Sequence, residues 1–449
     1  MGGVRTFVDE GLGHSSYLVD VGDGSAAIID PPRFPTEHLS EAASRGLVPR
    51  WTIDTHSHAD YVTGSPALAA GNEGITFAAP AASRLATPHF GLHDDDRVPL
   101  APGVALRAIA TPGHTPDHHA YLLERDGAAV ALFSGGALMV GTVGRTDLCG
   151  PDLTESLARD MFHSLRRFED LPDGLPVYPT HGNGSFCSAA GGTSRTTTLG
   201  RERATNALLR IDDEDAFVEA LVSGLGSFPA YFYQLPELNR RGPRRFDAIP
   251  DLERLDVDEV ERRLVDGATV IDTRPVVDFA AAHVPGSISN ALRPAFGSML
   301  GWIVALDRPI VIVAGDAQDR TEIMRQCLDI GHDTVLGELA GGVDAWRASG
   351  RTITGIPLVG PDEIVGAVLD VRLRSEFDDG HLPDAVNVEL GSLAATEIRD
   401  GPITVMCGHG ERAMTGASML AARGHRDVNV LHGGPDEWAT RTGSSLTVE

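Results

Sequence analysis

Short apolar runs bounded by Gly, Asp and Pro alternate along the chain with stretches of helical apolar spacing, and this alternation predicts an α/β protein. In the first half, residues 16–19, 26–29 and 128–133 read as strands. Residues 67–70, 153–168 and a run near 215–225 read as helices. Near the end, Thr404, Val405 and Met406 form a buried strand, and residues 413–423 carry apolar positions at Met414, Ala417, Met419 and Leu420 before Gly424 stops the helix. The link between them is Cys407-Gly408-His409-Gly410-Glu411-Arg412, which places a thiol at a helix N-terminus. Backbone N–H groups of such a loop, with the helix dipole, stabilise an anion, so the place suits a thiolate or a persulfide formed on it. This Cys-x4-Arg ring is one residue smaller than the Cys-x5-Arg loops that cradle phosphate, and it fits a sulfur atom better. The competing reading is a structural Cys buried at a strand end.

The second half repeats itself. Val270-Ile271-Asp272-Thr273-Arg274, Phe279 and His283-Val284-Pro285-Gly286 answer Val368-Leu369-Asp370-Val371-Arg372, Phe377 and His381-Leu382-Pro383-Asp384. Gly341-Gly342 and Trp346 likewise answer Gly433-Gly434 and Trp438. Aligning Gly331-His332 with Gly424-His425 sets Ala314 opposite Cys407 and Asp319 opposite Arg412. Alanine cannot carry sulfur, and an acid at that place repels an anion, so the first copy is expected to be structural, with Cys327 in its core. Residues 239–250, rich in Arg, Gly and Pro, read as a linker. The expected organisation is a domain over 1–240, a degenerate copy over 251–352 and a complete copy over 358–449.

Length and charge narrow the classes. At 449 residues the chain suits about two to four domains, each able to bury a core. Its net charge is −26 and every cation is Arg, which disfavours nucleic acid and anionic membrane as partners. Four cysteines (Cys149, Cys187, Cys327, Cys407) without a Cys-x-x-Cys pair give neither a disulfide framework nor a thiolate zinc site, and the expected setting is the reducing cytoplasm. There is no charged leader followed by an apolar core and no window of 18 uninterrupted apolar residues, so a soluble, unexported protein is expected. Met1-Gly2 with Thr6 fits a myristoylation pattern and is read as chance, because residues 5–19 look like opening strands.

Three histidine clusters fall at strand ends and loops of the first domain. They are Thr55-His56-Ser57-His58-Ala59-Asp60-Tyr61, Thr111-Pro112-Gly113-His114 and Tyr178-Pro179-Thr180-His181-Gly182. His-x-His sets two imidazoles on one side of an extended segment, and a third from a later loop closes a three-nitrogen site for Zn or Fe. His56, His58 and His114 are the expected ligands, with Asp60 and His181 nearby. Cys187, close in sequence to His181, reads equally as a lining residue of this cleft or as a small buried hydrophobe.

These motifs, with Thr63-Gly64-Ser65, Phe133-Ser134-Gly135-Gly136-Ala137-Leu138 and Gly144-Arg145-Thr146-Asp147, resemble the metallo-β-lactamase fold in its glyoxalase II and persulfide dioxygenase branch. The last ~90 residues, with Asp370, Arg372, Glu376-Phe377, His381 and the Cys407 loop, resemble a rhodanese. The resemblance implies an αββα sandwich followed by two rhodanese-like doubly wound α/β domains. It also implies Arg145 as a substrate-binding residue, Cys407 as the persulfide carrier, Arg412 as the residue holding the anionic donor, and the backbone of Gly408, His409, Gly410 and Glu411 as the sulfur cradle.

Two departures stand out. Tyr61 replaces the family's His, and Gly136 replaces its metal-binding Asp, so the resemblance maps a single iron onto His56, His114 and a missing carboxylate. Replacing Gly136 by Asp is expected to restore that triad. Three states of the cluster fit the sequence: a metal-free relic, one Fe(II) or Zn(II) on three histidines, and a site completed by His118, His119 or water.

The leading functional expectation is a sulfurtransferase using a persulfide or thiosulfate donor and a thiol or sulfite acceptor, in a homo-oligomer. A second keeps the N-terminal domain active as a persulfide dioxygenase or thioester hydrolase. A third makes the chain a non-catalytic, sulfide-responsive scaffold.

Overall fold

The computed structural model describes residues 3–182, 184–187 and 194–449, so Met1 and Gly2 of the myristoylation pattern above lie outside the described residues. The chain divides into two compact units, Met1–Ala248 with Leu328–Gly331, and Ile249–Cys327 with His332–Glu449.

The first unit pairs two six-stranded sheets. One runs β1 (Val4–Asp9), β2 (His14–Asp20), β3 (Ser25–Ile29), β4 (Val48–Ile53), β5 (Thr76–Pro80) and β6 (Phe90–Leu92). The other comprises β7 (Arg97–Ala101), β8 (Val104–Ala110), β9 (His119–Arg125), β10 (Ala128–Gly135), β11 (Pro176–Pro179) and β12 (Thr197–Thr198), in the reverse spatial order. Strand alternation sorts the side chains. Tyr17, Val19, Ala27 and Ile29 face Leu106, Ala108, Tyr121, Leu123 and Phe133 in the layer between the sheets. Leu18, Ala26 and Ile28 point the other way, onto Ala42 of helix Thr36–Ser44 and Leu68 of helix Ser65–Gly71. On the far side, Leu122 and Leu132 meet Met161 and Phe162 of helix Pro151–Arg166 and Phe217 of helix Glu214–Ser223. The result is the expected αββα sandwich.

The second unit holds two five-stranded parallel sheets. The first is built from β13 (Arg254–Leu255), β14 (Thr269–Asp272), β15 (Ile288–Ser289), β16 (Ile310–Val313) and β17 (Val335–Leu339), ordered 13-17-16-14-15. The second is built from β18 (Leu358–Val359), β19 (Ala367–Asp370), β20 (Val386–Asn387), β21 (Ile403–Met406) and β22 (Val428–Leu431), ordered 18-22-21-19-20. The permutation is the same, and so is the bracing at the ends of β14 and β19. Arg274 forks onto Asp272 and donates to the Ala282 carbonyl, as Arg372 does to Asp370 and Gly380. Phe279 stacks on His283 at 3.8 Å, and Phe377 on His381 at 3.6 Å. Asp370 and Arg372 are thus a buried structural pair.

Helix Glu411–Ala422 buries every residue from Ala413 to Leu420. It packs on β21 and β22 and also on β15 of the first copy, where Ser418 Oγ accepts from the Ser289 N–H at 3.0 Å. Among the described residues no helix is long and apolar enough to cross a membrane.

Candidate functional site

Loops after β4, β8 and β11 carry the histidines to one end of the sandwich, and all are buried: His56, His58, His114 and His181 expose at most 2%. Hydrogen bonds fix which nitrogen of each ring is bare. Thr55 Oγ1 spends its proton on Asp30 at 2.9 Å, so it accepts from His56 Nδ1 at 2.8 Å and leaves His56 Nε2 with a lone pair. His114 Nδ1 donates to the Arg145 carbonyl at 2.8 Å, and its Nε2 is buried without a partner. His181 Nδ1 faces Asp60 Oδ2 at 3.2 Å, and its Nε2 lies 3.3 Å from His56 Nε2.

The grouping differs from the expected ligand set. Donor atoms of His56, His114 and His181 lie mutually within 4.8 Å, whereas His58 groups with Asp60 and His181, or with Asp30 and Asp54. His58 is drawn aside because its Nε2 pairs with Asp30 at 3.2 Å. His181, expected only nearby, takes the third place.

Two imidazole nitrogens facing each other at 3.3 Å need a proton or a metal ion between them. Burial alone would lower the pKa of His181, but electrostatic interaction with Cys187 and the Asp60 carboxylate outweighs that and raises it well above the ordinary range. A proton on His181 meets the requirement, and so does a metal. In a tetrahedral site with Zn–N of about 2.0–2.1 Å, neighbouring nitrogens lie about 3.3–3.4 Å apart. The His56–His181 spacing and the bare Nε2 of His114 therefore fit a metal, with Asp60 orienting His181 from behind.

Several expectations are corrected here. Arg145 is not open to substrate: it is 3% exposed, forks onto Asp147 at 2.7 and 2.8 Å, donates to the carbonyls of Phe186 and Gly226, and lies over Phe228. It serves the site through its own carbonyl, which sets the tautomer of His114. His118 is no substitute ligand, because its Nδ1 bonds Thr111 and its Nε2 accepts the Gly136 N–H at 2.9 Å. His119 joins no ligand group among the described residues. Gly136 cannot simply regain a carboxylate, since a Cβ there would stand 2.3 Å from His114 Cδ2. The His114 ring occupies that space.

Sequence reading missed Asp30. Held at φ +51°, it accepts from the Thr55 N–H and from the Thr55 and Thr180 hydroxyls, and it pairs with His58. Its signal was an acid between an apolar strand and Pro31-Pro32. Tyr61 fills the missing histidine's place by stacking on His14 at 3.9 Å and lying against His58 at 4.4 Å.

The second site lies between β21 and helix Glu411–Ala422. Cys407 is buried, and its Sγ accepts the Gly410 N–H at 3.1 Å, an amide aimed by the φ of +104° at Gly410. Gly434 closes against this loop, with no room for a Cβ over the Gly408 carbonyl. His409 is exposed; Gly408 and Glu411 are half-buried. Arg412 differs from expectation. Its Nη1 and Nη2 donate to Glu376 Oε2 and Oε1 at 2.6 and 2.8 Å, so the guanidinium is already paired with a carboxylate.

The corresponding loop of the first copy is plugged. Gln318 Oε1 accepts from the Gly315 N–H at 2.8 Å and its Nε2 donates to the Thr273 carbonyl, while Asp319 accepts from the Thr321 and Glu322 N–H groups as a helix cap. Arg320 closes over the carbonyls of Gly315, Asp316 and Gln318.

A histidine-bearing αββα sandwich joined to two such sheets defines the class. It is a metallo-β-lactamase-fold protein fused to two rhodanese-like domains, and the chain belongs to the glyoxalase II and persulfide dioxygenase family in its N-terminal half. The rhodanese-like domain family matches residues 256–349 and 359–441. A hydroxyacylglutathione hydrolase from Methylobacterium sp. (strain 4-46) is 31% identical over 253 residues, covering 51% of this chain and 94% of that protein. The mitochondrial persulfide dioxygenase ETHE1 of Homo sapiens is 30% identical over 208 residues, or 44% of this chain and 73% of that protein. Among solved structures, a metallo-beta-lactamase from Staphylococcus aureus subsp. aureus COL aligns with a TM-score of 0.68 and 26% identity, covering 76% of this chain and 99% of that one.

Proposed function

We propose that this chain is a sulfurtransferase of persulfide metabolism in which Cys407 cycles between thiolate and persulfide. The observation that carries the reading is the Cys407 sulfur, set at the head of a helix and bonded to the Gly410 N–H at 3.1 Å, in the one rhodanese-like copy that keeps its nucleophile. In the forward half-reaction the thiolate attacks the outer sulfur of a donor R–S–S⁻, the S–S bond breaks, and R–S⁻ leaves and takes a proton from water. The persulfide on Cys407 then passes its outer sulfur to a thiol, sulfite or cyanide. In the test, Cys407→Ser abolishes transfer while circular dichroism stays unchanged, and mass spectrometry after donor treatment finds one added sulfur atom on Cys407 and none on Cys149, Cys187 or Cys327. Transfer persisting in Cys407→Ser sinks the reading.

The N-terminal domain is proposed to hold one Zn(II) or Fe(II) on His56, His114 and His181. Bound there, the metal would supply Lewis-acid polarisation of a substrate sulfur or oxygen. The chain's own contribution is orientation: the Arg145 carbonyl, Thr55 and Asp60 each hold one ring so that its far nitrogen faces inward. Elemental analysis of wild type against His181→Gln checks this. A stoichiometric metal is expected to fall at least tenfold in the variant, in line with losing one of three ligands. Equal metal content in both excludes His181 as a ligand.

A further inference from the structure

We infer that Glu376 makes the Cys407 loop selective for persulfide donors over thiosulfate, by neutralising the one arginine that would hold a dianion. The inference rests on the sulfurtransferase reading above and adds the class of donor.

Both oxygens of Glu376 are engaged. Oε1 accepts from Arg412 Nη2, and Oε2 accepts from Arg412 Nη1 and from the Leu373 N–H at 3.2 Å. Such a fork is the strong form of ion pair, and the backbone bond fixes the carboxylate from its other side. The neighbouring cations are also matched: Arg372 is committed to Asp370, and Arg374 to Asp378 and Glu449. Glu411, at the loop itself, has no paired cation among the described residues. Among the described residues, the mouth of the loop therefore offers backbone N–H groups and no arginine without a carboxylate partner, in a chain whose net charge is already −26.

The two donor classes respond differently to such a mouth. With thiosulfate, the Cys407 thiolate attacks the outer sulfur of S–SO₃²⁻, the S–S bond breaks and sulfite leaves as a dianion, so two negative charges must be held beside the loop before and after the step. With R–S–S⁻ a single charge is involved, much of it on the sulfur that the loop amides receive, and R–S⁻ departs toward solvent. An unpaired guanidinium favours the first case far more than the second.

The experiment compares kcat/KM for thiosulfate and for glutathione persulfide, with cyanide as acceptor, in the full chain. Wild type is expected to favour the persulfide, and Glu376→Gln to raise the thiosulfate-to-persulfide ratio about tenfold, mainly through KM for thiosulfate, as one freed charge-assisted contact would. Glu376→Asp, which keeps the charge, is expected to keep the wild-type ratio. A merely structural glutamate would lower both donors together and leave the ratio unmoved in Glu376→Gln, and that result overturns the inference. Inorganic sulfate, an unreactive dianion, supplies a measurement on wild type alone: low-millimolar sulfate is expected not to compete with the persulfide donor, and competitive inhibition would show an unpaired cation and overturn the inference. Wild type that turns over neither donor overturns the underlying sulfurtransferase reading itself. Brisk persulfide turnover with an unmoved ratio overturns the selectivity alone.

Discussion

Gly136 is the residue at which sequence and structure part most sharply. The chain order of the motifs gave away the missing carboxylate, but sequence could not reveal that the His114 ring fills the space beside Gly136, because a ring position is set by tertiary contacts. Gly136→Asp is therefore expected to cost stability and not to restore a triad. Its Cβ would lie 2.3 Å from a ring that the Arg145 carbonyl holds in place, and overpacking of this kind costs about 1–3 kcal/mol. A lowered Tm with no gain of iron is the expected result; metal content rising above wild type would show that the ring yields. A second buried imidazole gives a pH signature. Burial lowers the pKa of His38 to about 3, against 6.5 in the unfolded chain. Between those values the unfolded state binds the extra proton, so stability falls as pH falls below the unfolded value, by about 2 kcal/mol at about pH 5. Urea titrations of the first unit should show this loss, and it should be smaller in His38→Gln.

At the scale of elements, the patterning was legible wherever apolar spacing was strong. The strand runs at 16–19, 26–29 and 128–133 fall within β2, β3 and β10, and the helical spacing at 153–168 and 413–423 falls on helices Pro151–Arg166 and Glu411–Ala422, with edges shifted by about two residues. The loops were less legible, because their chemistry depends on which side chains fold back into them. Alignment set Asp319 opposite Arg412, yet nothing in the spacing showed that Gln318 fills the first copy's loop or that Asp319 caps the next helix. That filling sharpens one expectation. Ala314→Cys restores a thiol beneath a loop whose Gly315 amide already serves Gln318, so the new cysteine should gain no sulfur in a donor-labelling experiment that loads Cys407. The double variant Ala314→Cys with Gln318→Gly is the informative control. Labelling at a rate like that of Cys407 in the single variant would show the plug to be unimportant.

For the molecule as a whole, the tandem order of a metallo-β-lactamase-fold domain and two rhodanese-like copies was readable because each copy carries the same marks in the same sequence, from Asp272 or Asp370 through His283 or His381 to Trp346 or Trp438. Less visible was how the copies share one helix. A duplicate that has lost its nucleophile is ordinarily released from selection and drifts. Here the geometry opposes that release, because helix Glu411–Ala422, which carries Arg412 and begins at Gly410, packs against β15 of the first copy and accepts a hydrogen bond from the Ser289 N–H at Ser418 Oγ. On the proposed sulfurtransferase reading, selection acting on the chemistry of Cys407 therefore also reaches Ile288 and Ser289, in the copy that carries Ala314 at the cysteine's place.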